Sequence, residues 1–437
     1  MPGCSLGRVR RSLGRAACHR VRRACDEGLG MTTQVRRPGA TGDDEGATGL
    51  PALADFALDP EVRHLNHGSF GAVPRPVLDR LAALRAEMEG NPDAWWRTLT
   101  GRIAAARADI AAFLRTAPDS LALVANASAG ASAVLASLRL PRGARVLTTD
   151  HTYGAVAMGL RRIAALHGAV VDTLHVPLDA SARDIEALFA QELSAGAPVA
   201  LVVVDQITSP TARLLPLPGI VAAAHAAGAR VLVDGAHAPG LLADPLGHAS
   251  GADYWTGNLH KWTCAPRGTA ALVAADDVAQ DLVPLVNSWG APEPYPHRFD
   301  QQGTQDVTGW LAAPASLAFL AERGGWEAAR ARMDRTVTAA QALLAEALDA
   351  DLSGVRVNEA LSMRLIPLSP VLATDPERAA ALQRRIAAEL RCEVSVTSWD
   401  GRGFLRLSAH VYNRPEEYEY LAERLPALLA TAEREAR

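Results

Sequence analysis

A single lysine is the residue whose type points most directly to chemistry. Lys261 is the only lysine among the 437 residues, and arginine supplies all the other Lys/Arg positions. Arginine provides the same charge at a solvated position, but it does not lose a proton near neutral pH and attack a carbonyl carbon. A lysine does so once burial or a neighbouring cation lowers its pKa, as in enzymes that form Schiff bases. We therefore expect Lys261 to be a nucleophilic amine, although the composition would also permit a lone surface lysine.

An aspartate upstream narrows the choice of Schiff-base chemistry. Aldolases also use such a lysine, so Lys261 alone identifies no cofactor. Asp234 ends an apolar run that is typical of a buried strand. A buried carboxylate there could keep the ring nitrogen of pyridoxal phosphate (PLP) protonated, which that cofactor needs in order to accept electrons. The alternative is a helix cap after the strand. His237, three residues later, is a candidate hydrogen-bond partner of the cofactor's phenolic oxygen.

A phosphate group would need backbone N–H groups at the start of a helix. Residues 125–130, Ala-Asn-Ala-Ser-Ala-Gly, lie between a predicted strand and a predicted helix and are small enough for close approach. The sequence therefore predicts Ala127 and Ser128 as phosphate contacts, with Thr256 and His260 as further donors.

The elements that must position these residues alternate between about 121 and 275. Predicted strands lie at 145–149, 170–176, 199–205, 230–234 and 269–274, and predicted helices lie near 130–138, 155–167, 181–194 and 219–227. This alternation predicts βαβ units in a mostly parallel sheet, with ligands bound beyond the carboxyl ends of the strands. Polar clusters follow three of the strands and include Tyr153 and Ser209, which we add to the candidate cofactor-binding residues.

The rest of the chain divides into predicted segments around this region. We expect an Arg- and Gly-rich disordered tail at 1–50, an N-terminal arm at 51–75, a large PLP-binding domain at 76–312 and a smaller C-terminal α/β domain at 313–437. The tail is either an organelle transit peptide or the result of a start codon assigned too far upstream. We favour the second interpretation, with initiation at Met31.

Composition excludes several classes of function. The chain has 49% hydrophobic and 21% charged residues and a net charge of −4, which is typical of a globular protein and favours neither nucleic acid nor an anionic membrane as a partner. Only Cys264 and Cys392 of the five cysteines lie beyond the first 25 residues. That pattern indicates no disulfide framework and a cytoplasmic location, and no metal site is predicted.

Six short motifs together resemble a known family. They are Leu-Asn-His-Gly-Ser-Phe-Gly at 65–71, Asn-Ala-Ser-Ala-Gly at 126–130, Thr-Thr-Asp-His-Thr-Tyr-Gly-Ala at 148–155, Asp-Gly-Ala-His at 234–237, His-Lys at 260–261 and Leu-Arg-Leu-Ser-Ala-His-Val-Tyr-Asn at 405–413. The chain resembles the fold-type I PLP-dependent enzymes of the class V aminotransferase family, and more closely the branch that contains isopenicillin N epimerase. The resemblance implies an α/β fold with a large, mostly parallel domain and a smaller C-terminal domain.

The resemblance also implies roles for single residues. Lys261 would form the Schiff base with the cofactor, and Asp234 would pair with the ring nitrogen. Tyr153 would lie on the ring face opposite the lysine, with His151 as the alternative occupant. Arg406 would bind the α-carboxylate of an amino-acid substrate through its two-pronged guanidinium group.

Further contacts are implied at the edges of the site. Asn66 and His67 are candidate substrate-binding residues in the first motif. Thr304 would reach the phosphate in the neighbouring subunit, so the active form would be a homodimer.

The reaction stays open at this level. After Lys261 removes the Cα proton, protonation from the other face would give epimerisation, which we expect, with Tyr153 as the acid. The alternatives are a C–S lyase and an aminotransferase. Residues 398–403, before Arg406, contain no cysteine, which argues against a desulfurase that works through a persulfide. A PLP-binding protein without catalysis is disfavoured because Lys261, Asp234 and Arg406 are all present.

Overall fold

The structure is a computed structural model that describes residues 49–356 and 361–436. Nearly all of the predicted tail, residues 1–48, lies outside the described residues. In chain order the strands are β1 (Arg63–His64), β2 (Leu121–Val124), β3 (Arg145–Thr149), β4 (Val170–Leu174), β5 (Val199–Asp205), β6 (Arg230–Asp234), β7 (Tyr254–Asn258), β8 (Ala270–Ala274), β9 (Met363–Pro367), β10 (Cys392–Glu393), β11 (Ser395–Trp399) and β12 (Arg402–Ser408).

The α-helices alternate with these strands along the chain. They are α1 (His67–Phe70), α2 (Arg75–Gly90), α3 (Pro92–Leu114), α4 (Ala127–Ser137), α5 (Gly154–His167), α6 (Ala182–Ser194), α7 (Leu217–Ala226), α8 (Pro245–His248), α9 (Asp276–Ala279), α10 (Thr308–Glu322), α11 (Trp326–Ala347), α12 (Pro376–Leu390) and α13 (Pro415–Ala436).

A seven-stranded sheet forms the centre of the fold, in the order β2-β8-β7-β6-β5-β3-β4. Strands β4, β3, β5, β6 and β7 pair in parallel, and β8 runs antiparallel to both of its neighbours. Strands β2, β6 and β7 are almost wholly buried, as expected for a sheet covered by helices on both faces. The predicted α/β class with a mostly parallel sheet is confirmed.

Strand β7 was not predicted, and it leads directly to Lys261. Its sequence, Tyr-Trp-Thr-Gly-Asn, lacks the aliphatic run of the other central strands. Two of its residues, Trp255 and Gly257, show how the strand packs within the sheet. Gly257 leaves room for the Trp255 ring, because a Cβ there would lie 2.2 Å from that ring. The strand is therefore specified by packing against its neighbours and not by local propensity.

Local signals set the limits of three long helices. Helices α10 and α11 are separate because Gly324 and Gly325 between them have φ of 83° and 85°. Helix α3 begins at Pro92 because the Asn91 side chain caps it, accepting a hydrogen bond from Ala94 N at 3.0 Å.

The C-terminal segment has a sheet and an apolar cluster of its own. Strands β11, β12 and β9 form an antiparallel sheet that packs with α11, α12 and α13. Leu65 of the N-terminal arm belongs to this cluster, and β1 pairs in parallel with β10. The arm therefore attaches to the C-terminal segment. The boundary at 312/313 between a large and a small domain stays a prediction. No helix in the described ranges is long and apolar enough to cross a bilayer.

Candidate active site

A cavity of about 410 Å³, the central cavity, lies beyond the carboxyl ends of β5, β6 and β7. Parallel strands bring their carboxyl ends to one edge of the sheet, so residues distant in sequence meet there. Eight of the predicted site residues line the cavity: Ala127, Ser128, Tyr153, Ser209, Asp234, His237, His260 and Lys261. Its wall also contains Ser69, Asp205, Asn258 and Arg267, which we did not predict as site residues.

Lys261 follows β7 in the loop to β8, and only 9% of it is exposed. Burial lowers the pKa of Lys261 to about 8, with Arg406 contributing in the same direction and Asp234 and Asp205 opposing it. At neutral pH a larger fraction of this side chain is therefore the free amine than in an ordinary lysine. The Nζ atom lies 3.1 Å from His237 Nε2. The fraction of Lys261 that is able to act as a nucleophile at neutral pH is therefore larger than in a solvated lysine.

The tautomer of His237 matches a neutral lysine. Trp262 Nε1 donates to His237 Nδ1 at 3.3 Å, and an indole N–H can only donate. The hydrogen-bond network therefore assigns the imidazole proton to Nε2, which faces Lys261 Nζ. Burial holds the pKa of His237 well below its usual value, so the ring stays neutral. An Nε2–H donor is satisfied by a free amine and not by an ammonium group.

Two carboxylates lie side by side on the floor of the cavity. Asp205 and Asp234 end adjacent strands and are direct partners in the register of β5 and β6. Both are buried, and burial raises the pKa of each. The charge on Asp234 raises the pKa of Asp205 further, and the raised value persists although Asp205 accepts hydrogen bonds from Tyr153 N and the Thr152 side chain. Asp234 accepts from Ala236 N at 3.0 Å. Asp205 Oδ2 has no partner among the described residues.

Asp205 could have been found from the sequence. It occupies the same position after β5 that Asp234 occupies after β6, and each ends a run of buried aliphatic residues. What the sequence lacked was the register that places the two side by side. Like charges in a shared buried site resist simultaneous ionisation, so Asp205, whose pKa the Asp234 charge raises further, takes up a proton more readily than Asp234.

The N-terminus of helix α4 opens into the cavity on one side. Ala127 N donates to Asn258 Oδ1 at 2.9 Å, and Ala129 N donates to Asn126 Oδ1 at 2.8 Å. The N–H of Ser128, the second helical residue, has no intrahelical acceptor because of its position. Of the two predicted phosphate contacts, Ser128 therefore offers its N–H to the cavity, while the N–H of Ala127 is already used.

Thr256 lies behind the cavity wall and not on it. It is fully buried, and its hydroxyl donates to Ala271 O at 3.0 Å. A Cβ on Gly130 of helix α4 would lie 2.2 Å from Thr256 Oγ1, so the glycine lets the helix approach β7 closely. The structure therefore places Thr256 as a support for α4, and its predicted contact with the cofactor stays a prediction.

Tyr153 and His260 lie on the rim of the cavity. Tyr153 is 44% exposed and begins the turn into α5. His260 Nδ1 lies 3.2 Å from Phe70 O, and burial lowers its pKa to about 4, so it is neutral at pH 7. His151, the alternative to Tyr153, is fully buried and contacts Thr211 at 2.6 Å instead.

Arg406 is a buried cation without a carboxylate partner in the described chain. Only 3% of the residue is exposed, and burial lowers its pKa to about 10, so it remains charged at neutral pH. Its guanidinium donates to Ser209 O, to Ser209 Oγ at 3.2 Å, to Ser69 Oγ at 3.2 Å and to Asn66 Oδ1 at 3.3 Å. Neutral oxygens hold this group in place, but its charge stays uncompensated. An anionic ligand group would supply the missing charge.

His67 is the second predicted residue that lies behind the wall. His67 Nε2 contacts Lys261 O at 3.0 Å, and Nδ1 contacts Tyr412 Oη at 3.0 Å. Its ring stacks on His410 with centroids 4.0 Å apart, and both histidines lie close to Cys264. Both ring nitrogens of His67 are engaged, so the residue holds the Lys261 backbone and has no nitrogen left for a substrate.

Thr304 lies outside the central cavity of its own chain. It is exposed, in the loop before α10, next to Gly303 with φ of 88°. A contact with a neighbouring subunit stays a prediction.

The residues of the central cavity fit PLP. Lys261 offers a free amine, Asp234 a buried anion for a ring nitrogen, and Ser128 an N–H and a hydroxyl for a phosphate. Asp205 Oδ2, buried in the cavity wall, also has no hydrogen-bond partner among the described residues. The cavity volume also lies in the range of small-molecule sites.

Several known proteins are similar to this chain over most of its length. The family described as Aminotransferase class-V matches residues 71–421. Isopenicillin N epimerase of Streptomyces clavuligerus is 32% identical over 395 residues, which cover 86% of this chain and 97% of that protein. A putative L-cysteine desulfhydrase of Oryza sativa subsp. japonica is 29% identical over 406 residues, which cover 84% of this chain and 83% of that protein. A solved structure of a C-DES variant, with glycine covalently linked to its PLP cofactor, has a TM-score of 0.73 at 21% identity, covering 86% of this chain and 99% of the other.

Proposed function

This chain belongs to the class V aminotransferase family and is a PLP-dependent enzyme, and from that premise we propose that it epimerises an amino acid or amino-acid derivative at Cα. The observation that carries the proposal is the composition of the central cavity. Lys261 and Tyr153, two groups able to exchange a proton, line one cavity together, and no cysteine belongs to its described lining. The similarity over most of the chain to isopenicillin N epimerases supports the same assignment.

The chain's own residues divide the work of the reaction. When bound, PLP supplies an electron-withdrawing ring that lowers the cost of removing a proton from Cα. Asp234 would hold the proton on the ring nitrogen, and Arg406 would bind the α-carboxylate of the substrate. Lys261 would take the Cα proton from one face, and Tyr153 would return a proton from the other. His237 keeps Lys261 in position through its Nε2–H.

Two further parts of the proposal concern the assembly and its location. We propose a homodimer in which Thr304 contacts the phosphate site of the neighbouring subunit. Leu285, Val286 and Trp289 support this, because they are exposed apolar side chains on one short segment. We also propose a cytoplasmic location, supported by Cys264 and Cys392, which are buried and free.

The test is a deuterium-exchange screen with the holoenzyme in D2O. A panel of L- and D-amino acids with isopenicillin N is followed for Cα deuterium, chirality, keto acid and sulfide. We expect inversion together with exchange on at least one substrate. Tyr153→Phe should slow inversion more than exchange, since exchange on the lysine face needs no second acid. Tyr420→Phe is the matched control. Tyr420 lies on α13, where its ring packs against the Arg63 guanidinium, and it does not line the central cavity.

A C–S lyase is the second candidate. Three relatives named putative or probable L-cysteine desulfhydrases are 27–29% identical over 84–92% of the chain and favour it. Pyruvate and sulfide released from cysteine, with no inversion of any exchanged substrate, would replace the epimerase by a lyase. The assignment to PLP-dependent enzymes would stand in either case.

A further inference from the structure

A second cavity of about 520 Å³ adjoins the central cavity. It lies between the turn before α5, the loop after β5, helix α12 and strand β11. Its wall includes Tyr153, Gln383, Arg384, Thr397, Trp399 and Arg406. Ser69, Tyr153 and Ser209 line both cavities, so the two meet at these side chains. Arg406, the proposed anchor of the α-carboxylate, belongs to the wall of the second cavity.

The described wall of the second cavity carries more positively than negatively charged side chains. Arg384 lies on the exposed wall and has no hydrogen-bond or ion-pair partner among the described residues. Its neighbour Arg385 instead pairs with Glu389 at 2.7 Å and with Glu435 at 2.5 Å, and it lines a different surface depression. Asp150 is the one acidic side chain among the described residues that line the second cavity.

Asp150 does not compensate Arg384. Its carboxylate accepts from Val176 N at 3.1 Å and lies 2.7 Å from His175 Nδ1. Two buried donors of the wall residues, Trp399 Nε1 and Arg406 Nε, have no acceptor in the described chain. The buried polar side-chain atoms of the described wall that lack a partner are thus both donors, and the ligand group that complements them and Arg384 is an acceptor with a negative charge.

The size of the second cavity points to a long side chain. A cysteine bound through its α-carboxylate extends only one sulfur beyond Cβ and would leave most of 520 Å³ to water. A longer side chain would pass Tyr153 and Ser209 and reach helix α12. We propose that the second cavity is a distal subsite, in which Arg384 binds a carboxylate at the far end of the substrate's side chain. The inference rests on the proposed function through Arg406 as the α-carboxylate anchor.

The test measures binding and needs no turnover. Isothermal titration calorimetry of the holoenzyme compares straight-chain dicarboxylates, from malonate to suberate, with monocarboxylates of equal length. Charge-assisted hydrogen bonds at Arg384 should make the best-fitting dicarboxylate bind about tenfold tighter than its monocarboxylate or better. Arg384→Gln should abolish this advantage and leave monocarboxylate binding unchanged. Arg385→Gln, on the same helix and with the same loss of charge, should keep it.

Three outcomes would overturn the distal subsite. They are equal affinities for the two ligand series, an advantage that survives Arg384→Gln, and an advantage that Arg385→Gln removes equally, which would indicate a general charge effect. The proposed function is tested separately by Cα exchange. Dicarboxylate selectivity through Arg384 without any Cα exchange would overturn the epimerase and keep the subsite. Exchange with inversion but without dicarboxylate selectivity would overturn the subsite and keep the epimerase.

Discussion

At the scale of single residues, the state of Lys261 is set by its surroundings and not by one partner. Burial lowers the pKa of its amine most, and the Arg406 cation adds to that effect. Asp234 and Asp205 act in the opposite sense, and the balance leaves a pKa of about 8. The His237 tautomer is compatible with the free amine only. A lysine with this lowered pKa attacks an aldehyde more readily at neutral pH than an ordinary lysine does.

The unique lysine makes this pKa directly measurable. Competitive labelling of the apoprotein with trace acetic anhydride, read by peptide mass spectrometry, should show Lys261 reactivity rising as pH increases through about 8. The rise occurs because only the neutral amine reacts. Asp234→Asn should move the midpoint lower, since it removes a charge that favours the ammonium form. A midpoint near 10.5, the ordinary lysine value, would contradict the burial argument.

The two cavity aspartates should respond differently to neutralisation. Asp205→Asn mimics the protonated form that burial and Asp234 favour, so cofactor loading and Cα exchange should change little. Asp234→Asn removes the anion that holds the ring proton and should slow exchange by a factor of about 100 or more, on the scale of ~2.7 kcal/mol for a lost charge interaction. Visible absorbance reports loading, and deuterium exchange reports the reaction. Equal losses in both variants would show that the two carboxylates share the role.

At the scale of elements, the crossing of the N-terminal arm over the lysine loop decides where Lys261 lies. Gly71 ends α1 with φ of 72° and ψ of 175°, a conformation nearly restricted to glycine. A Cβ at this position would lie 1.9 Å from His260 O and 2.9 Å from Lys261 O. The backbone of the arm thus touches the backbone of the lysine loop, and His67 adds its hydrogen bond to Lys261 O.

Gly71→Ala should therefore displace the lysine loop. We expect loss of cofactor loading together with a destabilisation of about 1–3 kcal/mol from the backbone strain. Gly325→Ala is the matched control, because Gly325 has φ of 85° and ψ of 158° but no atom within 4 Å of the added Cβ. The control should lose stability in thermal unfolding and keep its loading. If both variants loaded PLP normally, the close approach would have no functional consequence.

At the scale of the whole molecule, a buried ion pair joins helix α3 to the segment before Thr304. Arg107 donates to both carboxylate oxygens of Asp300, at 3.0 and 2.7 Å, and both residues are almost fully buried. Burial still raises the pKa of Asp300 despite this partner. The pair is therefore costly to desolvate and more costly to break.

Removing one partner should be worse than removing both. Arg107→Met leaves the buried Asp300 carboxylate with His297 Nδ1, 3.6 Å away, as its remaining ion-pair partner, and should lower the free energy of unfolding by about 3–5 kcal/mol. The double variant Arg107→Met, Asp300→Leu should recover most of that loss because no buried charge remains. Urea denaturation of the three proteins measures the difference. A double variant less stable than Arg107→Met would contradict this expectation.

The proposed homodimer has a matching test. Trp289 is 87% exposed, beside the half-exposed Leu285 and Val286. Trp289→Glu should shift the mass in size-exclusion chromatography with light scattering from dimer toward monomer, and it should weaken PLP retention if Thr304 acts across the interface. Leu166→Glu changes an equally apolar exposed residue on α5 and should leave the dimer intact. A monomeric wild type would refute the dimer.

Much of this protein was determined by the sequence alone. The unique lysine, the aspartate after a buried strand and the alternation of strands and helices predicted the confirmed fold class and cofactor, because these features depend on residue type and local periodicity. The family was likewise evident from short motifs, and the match over 71–421 confirmed it.

Only the tertiary structure decided which side chains face the cavity. Asp205 meets Asp234 through strand register, and Arg406 arrives from a hairpin in the C-terminal sheet. Thr256 and His67, predicted at the site, lie behind its wall because their polar atoms bond to backbone groups there. Strand β7 escaped prediction because its fit depends on packing against neighbouring strands. Register and packing join residues far apart in the chain, and no local pattern contains that information.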